Sequence, residues 1–128
     1  MRRRLIKTAV MVAGLLIGSL SLLAHHGNAE FDIGKKVTVK GTVTKWSWSN
    51  PHCFLAFDVK DDSGSPVHWV VETQPPRSIT ATGFSQYTFR PGDEVAVTLE
   101  PVKNGQPLGR ILEVVLPNGK KLVTGHLD

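Results

Sequence analysis

The 128-residue sequence predicts an all-β fold, a small barrel of five to six antiparallel strands, on three observations. Beyond Glu30 the apolar residues recur at every second position in short segments, which is the periodicity of half-buried strands. Clusters of Gly, Pro, Asn, Asp and Ser separate those segments. The apolar phase of the first segment also flips part-way along, as it does where a strand bends at a bulge.

Taken in order, Val37, Val39, Gly41 and Val43 share one face of a first strand, and at Lys45 the phase passes to Trp46 and Trp48. Asn50-Pro51 ends it. Cys53, Leu55, Phe57 and Val59 line one face of a second strand, and Asp61-Asp62-Ser63-Gly64 supplies turn chemistry. A third strand follows with Val67, Trp69 and Val71 inward, which completes a meander. Pro75-Pro76 halts the sheet, and Ser78 is placed to cap a short helical turn through Ile79 to Thr82 before Gly83. Arg90-Pro91-Gly92-Asp93 turns the chain into a fourth strand with Val95, Val97 and Leu99 inward. Asn104-Gly105 lies in the connection to a fifth strand over 111–116, and Pro117-Asn118-Gly119 closes a last hairpin onto Leu122-Val123. Three strands, a short helix or loop, then two strands and a tail fit an OB-like Greek-key barrel. An immunoglobulin sandwich would need about seven strands.

Ahead of this domain, Arg2, Arg3, Arg4 and Lys7 precede an apolar stretch from Ala9 to Leu23 and the small residue Ala24. That is the three-part layout of a secretory signal, and the stretch is too short to be read first as a membrane span. Residues 1–24 are therefore assigned as a signal peptide and residues 25–128 as one domain with a short N-terminal arm, in a periplasmic or secreted protein with no membrane insertion after cleavage. A cut after Ala29 would leave Gly27 at the minus-three position, closer to the small-residue rule, and would discard His25 and His26. The arginines also resemble the twin-arginine export pattern, but the usual Ser or Thr before them is missing, which favours ordinary export.

Removing the signal changes the charge balance. The chain carries 15 Lys and Arg against 11 Asp and Glu, and taking away the four basic residues of the first seven leaves eleven of each sign. A neutral mature surface has no basic stripe to neutralise phosphates, so nucleic acid is excluded as a partner. The single cysteine, Cys53, forms no internal disulfide, and the fold must rest on its core.

Ala24-His25-His26, Ala29-Glu30-Phe31-Asp32, Lys40-Gly41-Thr42-Val43, Trp48-Ser49-Asn50-Pro51-His52 and Arg90-Pro91-Gly92-Asp93 together resemble a family of small exported bacterial proteins of unknown function. The resemblance spans the mature chain, with Gly27 where family members usually carry serine. It implies no activity. It does imply that His25, His26 and the Asn50-Pro51-His52 turn are the positions of interest, and that the histidine pair belongs to the mature protein, which favours the cut after Ala24.

A free N-terminal histidine offers two nitrogens. The α-amine titrates near 8 and imidazole near 6.5, and copper outcompetes other divalent ions at such donors. With His25 and His26 on the arm, the third donor is His52, held by the stiff Asn50-Pro51 step, or His68, which alternates away from the core. The expected ligands are three of these four residues. The competing reading is a solvated arm, a His52 that organises its own turn and a His68 on a wet strand face. Cys53 shares its face with Leu55 and Phe57 and is read as an inert core thiol. Asp61-Asp62 is a turn with at most a weak attraction for calcium.

Trp46 and Trp48 stand on one face of the bent strand. They serve either as a plug for the barrel end or, with Asn50, Pro51 and His52, as a stacking platform for a partner. Two functions follow: a copper-binding module built on the histidines, or a non-enzymatic OB-type interaction module for a periplasmic partner protein or small ligand. No Ser/His/Asp set and no paired carboxylates point to an enzyme.

Overall fold

The computed structural model describes residues 30–125. The proposed signal peptide, His25, His26 and His126 lie outside them. Six strands follow in order: β1 (Val37–Ser47), β2 (Cys53–Lys60), β3 (Pro66–Thr73), β4 (Glu94–Pro101), β5 (Leu108–Val115) and β6 (Lys121–Val123). A short helix, α1 (Pro76–Ile79), continues into a 3₁₀ turn over Thr80–Thr82 between β3 and β4.

The strands form one sheet in the order β3-β2-β1-β4-β5-β6, and β3 also pairs with β5, so five strands close into a ring with β6 appended. This is the expected OB-like Greek-key barrel, with one departure from the all-antiparallel expectation: β3 and β5 run parallel. Parity requires it. Four antiparallel junctions around the ring reverse direction four times, which returns β5 to the direction of β3, so a five-membered ring always closes on a parallel pair.

Strand β1 bends where the sequence predicts. Its pairing with β2 slips between Val43 and Lys45, leaving Thr44 as an extra residue, after which Trp46 lies opposite Leu55. The bulge turns Trp46 onto the core side, while Val43 before it is buried. Cys53, Leu55 and Phe57 are fully buried along β2, as are Val71 on β3 and Val97 and Leu99 on β4. Alternation thus builds one core from all five ring strands.

Two boundaries differ from expectation for local reasons. Helix α1 begins at Pro76, with Pro75 at the cap position and no side-chain cap, so Ser78 lies inside the helix and is not its cap. Proline at the first helical position has a preset φ and no N–H to satisfy, so the chain can enter the helix without a polar side chain there. Gly83 ends the following turn at φ +97°. Strand β5 begins at Leu108, earlier than Ile111, because Gly109 belongs to the strand and not to the loop. A Cβ there would stand 2.6 Å from the Glu100 carbonyl oxygen, so only glycine allows β5 to lie this close to β4.

Gly41 on β1 is under the same constraint. Its absent Cβ would collide with the Asp58 carbonyl oxygen and stand 2.9 Å from the Phe57 ring. Gly41→Ala should lower the unfolding free energy in urea by about 3 kcal/mol, at the upper end for overpacking. Gly125→Ala, with nothing within 4 Å, should stay within about 0.5 kcal/mol of the parent.

Candidate functional site

The connection from β1 to β2 runs over residues 48–52 and leaves Asn50 and Pro51 exposed. His52 immediately precedes β2. The Cys53 amide donates to the Gln74 carbonyl at 3.3 Å, which fixes the mouth of the β2–β3 ribbon beside it. The His52 side chain is 44% exposed, and its Nδ1 lies 3.7 Å from Glu72 Oε2, beyond hydrogen-bond length but close enough for the carboxylate field to act on it. Glu72 stands opposite Phe54 in the β2–β3 register and opposite Arg110 across the β3–β5 seam.

His68 occupies a different place. It pairs with Asp58 across the ribbon, its Nδ1 against the Asp58 carboxylate, and its side chain is 77% exposed. Asp58 is six residues along β2 from His52, a separation of about 20 Å at strand rise. The structure therefore does not bring His52 and His68 together, and one ligand set cannot hold both. Alternation puts His68 on the outer face, as the sequence predicts, while the register puts it at the far end. Among the described residues no group of three or more His, Cys, Asp or Glu side chains is arranged to hold a metal ion.

The tryptophans face inward to their own protein. Trp46 donates its indole N–H to the Ser85 carbonyl at 2.9 Å and meets Phe89 edge-on at 4.9 Å, with Trp48 5.9 Å away. Both pack against the core cluster that includes Phe84 and Phe89. This is the plug arrangement, in which the polar edge of Trp46 is already occupied. Of the candidate binding residues, Asn50, Pro51 and His52 remain outward.

Cys53 is fully buried, and burial pushes its thiol up, slightly offset by a weak hydrogen bond to the Ser49 carbonyl. Asp61 serves its turn. Its Oδ1 accepts from the Ser63 hydroxyl, the Ser63 amide and the Ser65 amide, with the Ser63 hydroxyl foremost in holding the carboxyl below the usual carboxylate range.

Several residues at this surface escape the sequence reading. Phe54 and Val70 are 38% and 37% exposed on the outer face of β2 and β3, and Leu108 lies beside Val70 across the seam. Phe54 was detectable as an aromatic on the solvent phase of an alternating strand. The Glu72–Arg110 adjacency had no local signal, because it joins residues 38 positions apart through a parallel pair.

A family model described as a family of unknown function (DUF6152) matches residues 13–111. No curated protein and no solved structure matches the chain.

The Cys53 geometry carries a direct expectation. The native protein should resist an aromatic disulfide reagent at pH 8 and react with one equivalent once unfolded in guanidinium. Rapid labelling of the native protein would place the thiol at the surface instead.

Proposed function

The chain belongs to the DUF6152 family of unknown function, and we propose that it acts as an exported, non-enzymatic copper-binding module. Residues 1–24 direct export to the periplasm or beyond. The ligands are His25, through its freed amine and ring, together with His26 and His52. The observation that carries this reading is the placement of His52: a half-exposed imidazole at the strand mouth, with the Glu72 carboxylate 3.7 Å from its Nδ1. That carboxylate adds negative charge where a cation would sit.

Reach supports the same set. Phe31 bridges to Val102 just past β4, and a row of side chains crosses from there through Arg110 on β5 and Glu72 on β3 to His52. Three strand spacings of about 4.8 Å separate β4 from β2 along that row. His25 precedes Phe31 by six residues, a segment that extends to about 20 Å at full stretch. The arm is long enough. His68 plays no part in this site.

A second reading rests on Phe54 and Val70. Their partial exposure on the outer β2–β3 face suits an interaction module that holds a partner protein or an apolar small ligand, in the manner of OB folds. Such a module would bind without copper.

The test begins with the intact mass of the exported protein, expected to start at His25. Titration with Cu(II), followed by tryptophan quenching, should give one tight site. His25→Ala and His52→Ala should each weaken it at least about tenfold by loss of a ligand, while His68→Ala should stay within about twofold. An N-terminus at Glu30, or affinities unchanged by His25→Ala and His52→Ala, would overturn the copper reading.

A further inference from the structure

Glu100 is the one carboxylate among the described residues that is counted as fully buried, at 3% exposure, and neither the core nor the copper reading uses it. It lies on β4 opposite Arg110 on β5. Its two oxygens have separate tasks. Oε1 accepts both Arg110 Nε at 3.1 Å and Nη2 at 3.0 Å, while Oε2 accepts the backbone N–H of Gly34 at 2.7 Å. Gly34 is 66 residues away in sequence and belongs to the segment that precedes β1.

That segment is fastened at three further points. The Asp32 amide donates to the Pro101 carbonyl at 2.8 Å, Phe31 bridges to Val102, and the Phe31 ring covers the Arg110 guanidinium with its centroid 5.6 Å from Cζ. Phe31 is 3% exposed, and the Arg110 side chain 12%. A cross-strand pair needs only the Oε1 half of this arrangement. The Oε2 bond to Gly34 and the aromatic roof tie this pair to the strap over 31–34 as well. Charged acceptors make such bonds stronger than neutral ones, and burial strengthens them again.

We infer that Glu100, Arg110 and Phe31 form a latch that pins the N-terminal strap to β4 and β5 and thereby positions the arm bearing His25 and His26. The positioning role rests on the copper reading; the latch itself does not. Both candidate export cuts, after Ala24 and after Ala29, fall before Phe31 and leave the latch in place. With the latch closed, six residues join His25 to its anchor at Phe31; when its opening frees the whole strap, the Asp32–Pro101 bond and the Phe31–Val102 bridge included, the anchor retreats to Val37 and the tether doubles to twelve. Closure entropy scales with the logarithm of tether length, so doubling it weakens an arm-borne ligand by only about threefold. Glu100, Arg110 and Phe31 are positioning residues and touch no ligand.

The experiment uses the full exported chain and two variants. Phe31→Ala removes the roof, and the pair Glu100→Leu with Arg110→Met removes both charges together, which buried ion pairs tolerate far better than loss of one partner. Amide hydrogen exchange should speed up at least about tenfold at Gly34 in both variants, while Leu55 and Phe57 keep the protection of the parent. In the same proteins Cu(II) affinity should fall about threefold. Unchanged exchange at Gly34 would overturn the latch, as would equal acceleration at Leu55 and Phe57, which would make the pair a strut of the barrel. Faster exchange at Gly34 with unchanged Cu(II) affinity would overturn the positioning role. A parent protein that binds no Cu(II) would remove the copper reading and the positioning role with it, and the exchange result alone would then decide the latch.

Discussion

Closure of the ring by the parallel pairing of β3 with β5 is the constraint on which the rest of this structure depends. Five strands cannot alternate direction around a circle, so one seam must be parallel, and here it is only three residue pairs long, Val70 with Leu108, Val71 with Gly109 and Glu72 with Arg110. The Val70 amide extends it by donating to the Pro107 carbonyl at 3.1 Å. Gly109 sits within the seam and also permits the close approach of β4 on its other side. Without that seam Glu72 and Arg110 would belong to unconnected parts of the surface. With it, charge runs from His52 through Glu72 and Arg110 to the buried Glu100 and the strap before β1.

The barrel ends divide the remaining work. Helix α1 and the turn after it bring Ile79 and Phe84 over one end, where Trp46 closes against Phe89 and gives its N–H to Ser85. The β1–β2 connection leaves from the same end of β1, so Trp48 packs inward while Asn50, Pro51 and His52 stay outside. A filled end makes the outward turn a defined place from which His52 projects. At the far end of the ribbon, His68 and Asp58 satisfy each other on a wet face.

Period-2 alternation carried most of this architecture into view. The Cys53, Leu55, Phe57 series and the Val95, Val97, Leu99 series each read correctly because a barrel strand has one wet face and one dry one. The phase flip at Lys45 was legible as a bulge for the same reason, since an inserted residue exchanges the faces. The start of β5 was not, because Pro107 and Gly109 look like loop chemistry while the glycine is required by a close backbone approach. The helix start was misplaced because a proline entry needs no polar cap. The site was legible only in part. Asn50-Pro51-His52 marks itself as a rigid turn, but the partners of His52 and the Glu100 latch are assembled by long-range register, which leaves no trace in local periodicity.

The seam can be measured directly by nuclear magnetic resonance on the isotope-labelled protein. Interstrand contacts between the amide and Hα protons of Val70, Val71 and Glu72 and those of Leu108, Gly109 and Arg110 are expected, in the pattern of parallel strands and in this register. Their absence, with the four antiparallel junctions intact, would mean an open sheet in which Glu72 and Arg110 are not joined, and would contradict the account.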